Sequence, residues 1–199
     1  CAADMAVPAK VTFLPVPGLS GLLADQLYEA DSMPDDSGGS FAVSVPPGTY
    51  DLYAVQGPFS TLARALDVVV EAGSSVPVTL VPEPLDLLPE GWLSSDFHVH
   101  GGSSFDSGFG DIERVRSFAA AHVDVIASTE HDVVSNLAVA QQQADLAWPL
   151  QILPGTEATG HVLFDLYADA SFPKVVGHWN FFPLAFDADA YDVVVTNAE

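Results

Sequence analysis

Cysteine is nearly absent from this chain: Cys1 is the single one in 199 residues. An intrachain disulfide is therefore excluded, and the redox compartment stays open. Basic residues are almost as scarce. Lys10, Arg64, Arg114, Arg116 and Lys174 stand against 27 acids, for a net charge of −22. A phosphate backbone is held by basic patches, so such a surface repels nucleic acid and anionic membranes. The acids are mostly Asp and are scattered, which reads as a solubilising surface and not as a substrate clue. No apolar run is long enough to span a bilayer.

Apolar residues make up 49% of the chain, enough for a sizeable core, and the length suits one large domain or two small ones. The first 82 residues read as all-β. Phe41–Val45, Tyr50–Val55, Leu66–Val70 and Val76–Leu80 are short β-branched or alternating runs. Pro46-Pro47-Gly48, Gly57-Pro58 and Gly73-Ser74-Ser75 bound them as turns. Short strands at this spacing predict a small β-sandwich over 1–82. Residues 83–94 are a proline-punctuated linker.

From residue 95 the pattern changes to strands alternating with helices. Strands are expected at Phe97–His100, Val123–Ala127, Leu150–Leu153, Val175–Phe182 and Tyr191–Thr196, with helices over Asp111–Ala121 and Leu137–Ala147. Ile112, Val115, Phe118 and Ala119 lie near one face of the first helix. Alternation of this kind implies parallel βα units, a barrel or an open sheet, with ligands gathered at the C-terminal strand ends.

The chemistry concentrates in the same region. His98 and His100 flank one residue on a predicted strand, so both imidazoles share a face. Asp106, Glu130-His131, Glu157 and His178 follow, and four of the six histidines fall in this series. Mixed imidazole and carboxylate ligands suit Zn, Mn or Fe better than Mg or Ca. Two imidazoles on one face beside Asp96 are costly to bury without a metal or charge partner. His161 is a candidate ligand or substrate contact, and Lys174 is the one basic residue near the motifs. His122 reads as structural, Trp92 and Trp179 as core or pocket wall, and Asp132 as part of a helix N-cap region. No Ser–His or Cys–His nucleophile accompanies the series, so covalent catalysis is disfavoured.

Gly91-Trp92 leading into Asp96-Phe97-His98-Val99-His100, with Ser128-Thr129-Glu130-His131, Pro154-Gly155-Thr156-Glu157 and Gly177-His178-Trp179-Asn180, resembles the PHP (polymerase and histidinol phosphatase) superfamily. The likeness is greatest to its CehA/McbA-type branch and covers about residues 90–197. Val45–Tyr53 likewise resembles the hairpin of carboxypeptidase-regulatory-like β domains, which often precede that branch. The resemblance implies a distorted (β/α) barrel over 95–199. It also implies two or three divalent ions held in the full-length protein by His98, His100, Asp106, His131, Glu157 and His178. Asp96 and Glu130 would orient imidazoles; Glu130 stands where the family usually has Asp. The family pattern continues to a further His and a D-x-H pair beyond Glu199, so a partial barrel is expected here.

The implied activity is a metal-dependent hydrolase using metal-activated water on an ester, carbamate or phosphoester of a small molecule. Scarce Lys and Arg weaken the phosphate version. Two alternatives stay open: a non-catalytic metal-binding surface protein with a degenerate barrel, and an amidohydrolase-type TIM-barrel enzyme, which also starts with HxH. Cys1-Ala2-Ala3-Asp4 resembles the start of a processed bacterial lipoprotein, which would attach the chain to a membrane through a lipid in the cell envelope. An arbitrary chain boundary accounts for the same residues.

Overall fold

The computed structural model describes residues 8–16, 28–32, 41–144, 146, 148–159 and 177–186. His161, Lys174, Cys1 and the Tyr191–Thr196 segment lie outside the described residues. The chain is mixed α/β, with two helices and several small sheets among the described residues. It divides into two compact units, Cys1–Leu93 with 116–123 and 146–149, and Ser94–Val115 with 124–145 and 150–199.

The first unit contains one antiparallel sheet of β1 (Ala9–Pro15), β2 (Tyr28–Ser32), β3 (Gly48–Val55) and β4 (Ala63–Val70), in the order β2-β1-β3-β4. Period-two alternation puts Tyr50, Leu52 and Ala54 of β3 on the buried face. Ala9 and Val11 of β1 are buried with them. On β4 the register shifts between Tyr50↔Val68 and Leu52↔Ala65, so that strand carries one extra residue. Asp67 takes up the bulge at φ 55°, and its N–H donates to Asp51 Oδ1 at 2.9 Å. The bulge keeps Ala65 and Val68 on one face and turns Leu66 and Val69 outward.

The two-sheet sandwich expected from the sequence is replaced by this single sheet among the described residues. Phe41–Val45 and Val76–Leu80 are not strands. Pro46 and Pro47 follow the first and Pro77 interrupts the second, each removing a backbone donor that a ladder needs. The β1 strand, by contrast, was not singled out in the sequence. Part of the expected linker belongs to the first unit: Thr61 N–H donates to the Glu83 carbonyl at 2.8 Å, and Leu85 N–H to that of Phe59 at 2.7 Å.

The second unit is built on three parallel strands, β5 (Ser95–Val99), β6 (Val125–Ser128) and β7 (Gln151–Pro154), in sequential order. Helix α1 (Asp111–Ala120) connects β5 to β6, and α2 (Ala138–Gln143) connects β6 to β7. Val115 and Ala119 are buried on one side of α1, as the spacing predicts. His122 ends that helix. It sits at φ 57° with its N–H on the Ala119 carbonyl, and Val123 N–H reaches the Phe118 carbonyl, both at 3.1 Å. This is the left-handed helix stop usually made by Gly, and the His122 ring packs edge-on to Phe59 and Trp148. Helix α2 is shorter than the predicted Leu137–Ala147; Asn136 Oδ1 accepts the Ala138 N–H at its start. A last antiparallel pair, β8 (Thr156–Ala158) and β9 (Trp179–Phe181), follows. No helix among the described residues is long and apolar enough to cross a membrane.

Candidate metal centre

Strand ends bring the chemistry together. His100 is the first residue after β5, His131 follows β6 by three, and Glu157 follows β7 by three, within β8. The β6–β7 pairing continues past the strands: His131 bridges to Glu157, Glu157 N–H donates to the Glu130 carbonyl at 2.9 Å, and Asp132 N–H to that of Glu157 at 2.8 Å. These backbone bonds fix the heights at which His131 and Glu157 enter the site.

Glu157 is the centre of the cluster, with 1% of its surface exposed. Its Oε2 lies 3.0 Å from His98 Nε2, 2.9 Å from His100 Nε2 and 3.4 Å from His131 Nδ1, and its Oε1 lies 2.9 Å from His178 Nδ1. Asp106 closes the other side, 3.1 Å from His100 Nδ1 and 3.2 Å from His131 Nε2. The His98 and His100 ring centroids are 4.9 Å apart. The six side chains line one open cleft of about 350 Å³, at the small end of ligand-pocket volumes.

Burial raises the Glu157 carboxyl. The hydrogen bond from His98 and the positive charge available on His98, His131 and His100 outweigh it and leave the group below its ordinary value of 4.5. Asp106 behaves alike: desolvation raises it, and its hydrogen bonds to His131 and His100, with their charge, bring it below 3.8. Both carboxylates are therefore held ionised, the state in which carboxylates bind metal.

The geometry suits divalent ions. Two ligand atoms held 2.0–2.2 Å from one ion stand about 3.0 Å apart at a right angle and about 3.4 Å apart at a tetrahedral angle. The six contacts span 2.9 to 3.4 Å. Three overlapping groups could each hold an ion: His98–His100–Glu157, His100–Asp106–His131 and His131–Glu157–His178. Buried His131 Nδ1 makes no hydrogen bond among the described residues, as expected of a nitrogen reserved for a metal. A neutral imidazole has one lone pair, so His100 and His131 each serve one group at a time.

Asp96 and Glu130 do not reach imidazoles. Asp96 Oδ1 accepts the His98 backbone N–H at 3.0 Å. Glu130, 1% exposed, accepts the Gly101 N–H at 2.5 Å through Oε1 and the Ser104 hydroxyl through Oε2. Sequence reasoning missed Ser104, whose hydroxyl oxygen also accepts the His131 N–H at 3.1 Å. Nothing in a Gly-Gly-Ser-Ser loop marks one serine over its neighbour. Phe105 was missed as well: its ring stacks on His131 at 4.5 Å while 77% exposed. Asp132 is no helix cap; at φ 56° it accepts the Thr159 N–H at 2.9 Å and the Thr159 hydroxyl at 2.5 Å. Trp92 and Trp179 are 68% and 62% exposed, not core.

No protein-family model, curated protein or solved structure matches this chain.

Proposed function

We propose that this chain carries the metal centre of a metal-dependent hydrolase of the PHP type, acting on an ester, carbamate or phosphoester. One observation carries the reading: a buried carboxylate, Glu157, contacts four imidazoles through its two oxygens. A single His–carboxylate pair is a common structural feature, whereas four imidazoles converging on one buried acid are more than its charge requires and make a donor set that suits divalent ions. Divalent ions held by these residues would supply the chemistry of an acidified water and a polarised carbonyl or phosphoryl oxygen.

The remaining roles belong to the chain. Glu157 belongs to two of the three candidate groups and would be the residue shared between two ions. His98 and His178 hold the outer edges, where the cleft opens and a substrate oxygen can enter. Asp106 fixes the orientation of His100 and His131, as a ligand or as acceptor of the one ring N–H that each neutral imidazole keeps. Among the described residues the cleft lining includes no Lys or Arg, which favours an uncharged ester or carbamate over a phosphoester.

Three parallel strands in sequential order, with the candidate ligands after their C-terminal ends, are what a (β/α) barrel requires, and an open α/β sheet shares both features. A sandwich in the first unit would need a second sheet from residues outside those described.

Elemental analysis of the chelator-washed chain reloaded with Zn, Mn or Fe tests the reading. We expect stoichiometric metal in the parent and its loss in a His98→Ala/His100→Ala variant, with turnover of a carboxylic ester or carbamate in the metal-loaded protein. Equal metal in both proteins would overturn the site, and phosphoester turnover alone would overturn the preference for carbonyl substrates.

A further inference from the structure

We infer that Glu130 governs the metal centre without entering it, by fixing the Gly101–Asp106 loop against His131 through Ser104. The inference rests on the metal reading above and assigns a positioning role to two buried side chains.

The hydrogen bonds run in one direction. His131 N–H donates to Ser104 Oγ, the Ser104 hydroxyl donates to Glu130 Oε2, and Gly101 N–H donates to Glu130 Oε1. A carboxylate is the one side-chain group that accepts at both oxygens, so each donor has a partner and the serine hydroxyl has a single orientation. The backbone of the Glu130 residue belongs to the same frame, since its carbonyl accepts the N–H of Glu157 at 2.9 Å and the hydroxyl of Thr156 at 3.2 Å. One residue thus ties down the start of the loop after His100, its midpoint at Ser104, the neighbouring His131 and the strand that bears Glu157.

Space along the loop is fitted to this anchor. A Cβ on Gly101 would stand 2.4 Å from Asp111 Oδ1 and 2.7 Å from Glu130 Oε1. Asp111 Oδ1 takes the Gly102 N–H at 2.7 Å. Two consecutive amides are therefore gripped by two carboxylates, and only glycine lets the backbone pass between them. Asp106 lies two residues beyond Ser104, in the turn closed by the Ser107 N–H on the Ser104 carbonyl at 3.2 Å, with the Ser107 hydroxyl on the His100 carbonyl at 3.5 Å. Asp106 is half exposed and has no hydrogen bond of its own to the backbone among the described residues; its carboxylate touches only His100 and His131. Its position depends on the Ser104 turn as well as on the Ser107 contacts, so loss of the anchor reaches the metal through Asp106.

The test is Mn2+ binding by the full chain, read as free ion by electron paramagnetic resonance, in Ser104→Ala, Glu130→Gln, Asp106→Ala and Ser104→Ala/Asp106→Ala. Ser104→Ala deletes one hydroxyl and guards against a Glu130→Gln chain that does not fold, as judged by far-UV circular dichroism. We expect Ser104→Ala to weaken Mn2+ binding roughly tenfold to a hundredfold, the range for groups that orient ligands, and to add less than about twofold to Asp106→Ala. Independent, multiplying losses would overturn the inference while leaving the metal centre standing, as would parent-like affinity in folded Ser104→Ala. A parent chain that binds no Mn2+ would overturn both.

Discussion

The two units differ in how much polar surface they bury among the described residues. In the sheet of the first, the buried strand residues are Ala9, Val11, Tyr50, Leu52 and Ala54, with Gln56 and Ser60 at the edge. In the second, Ser104, Ser128, Thr129, Glu130, His131, Thr156, Glu157 and Thr159 are buried beside Val99, Val115, Ile126 and Leu137. An apolar face stabilises simply by leaving water. A polar interior stabilises only when each group finds its partner, so its sequence is constrained by function as well as by packing. Substitutions in the two units should therefore fail in different ways.

The largest effect should come from Glu157. Replacing it by Ala removes the carboxylate common to two of the three ligand groups and leaves four imidazoles without their shared partner. We expect loss of bound metal and a fall in hydrolytic turnover of roughly 10³-fold or more, about 4 kcal/mol of barrier. Metal content and steady-state rates measured together check this; undiminished metal would remove Glu157 from the centre.

Leu52→Ala should break the other side of the comparison. Leu52 is buried on β3, which is bonded to β1 and β4 on its two sides. Truncating such a side chain costs about 2–5 kcal/mol, through lost transfer energy and the cavity left behind. Denaturant unfolding should register that loss while metal equivalents per folded chain stay unchanged. A variant that loses metal in proportion to stability would show that the polar site depends on the apolar sheet.

The same contrast explains what the sequence discloses. His98 and His100 are legible because a strand repeats every two residues, and His131 and Glu157 because βα units deliver their strand ends to one side. Tyr50–Val55 and Asp111–Ala121 are legible from periodicity alone. Phe41–Val45 and Val76–Leu80 look equally strand-like, but pairing is a property of neighbours, and the prolines at 46, 47 and 77 decide it. His122 as a helix stop and Asp132 as the acceptor for Thr159 depend on a positive φ, which no sequence spacing announces for a non-glycine residue. Ser104 and Glu130 meet across 26 positions. Local pattern shows the acid and cannot show that it holds a loop instead of a ring.

The smallest effect concerns pH in the metal-free chain. Glu157 and Asp106 are held below their ordinary values of 4.5 and 3.8 by the imidazoles around them. A carboxyl whose folded value is depressed binds fewer protons folded than unfolded, so the stability it contributes is complete above its unfolded value and drains away as pH falls through the folded one. The metal-free protein should therefore lose melting temperature progressively below about pH 4.5, and a Glu157→Gln/Asp106→Asn variant should lose less over the same interval. Thermal melts between pH 5.5 and 3 on the two proteins measure the difference, about as wide an interval as carboxylate titration spans. Parallel curves would mean that the imidazoles do not stabilise these carboxylates in the folded chain, and that the cluster coheres only when metal is bound. A shallower curve for the variant would mean that the polar unit is already assembled before the ion arrives, with the acids and imidazoles acting as each other's counter-charges until it does.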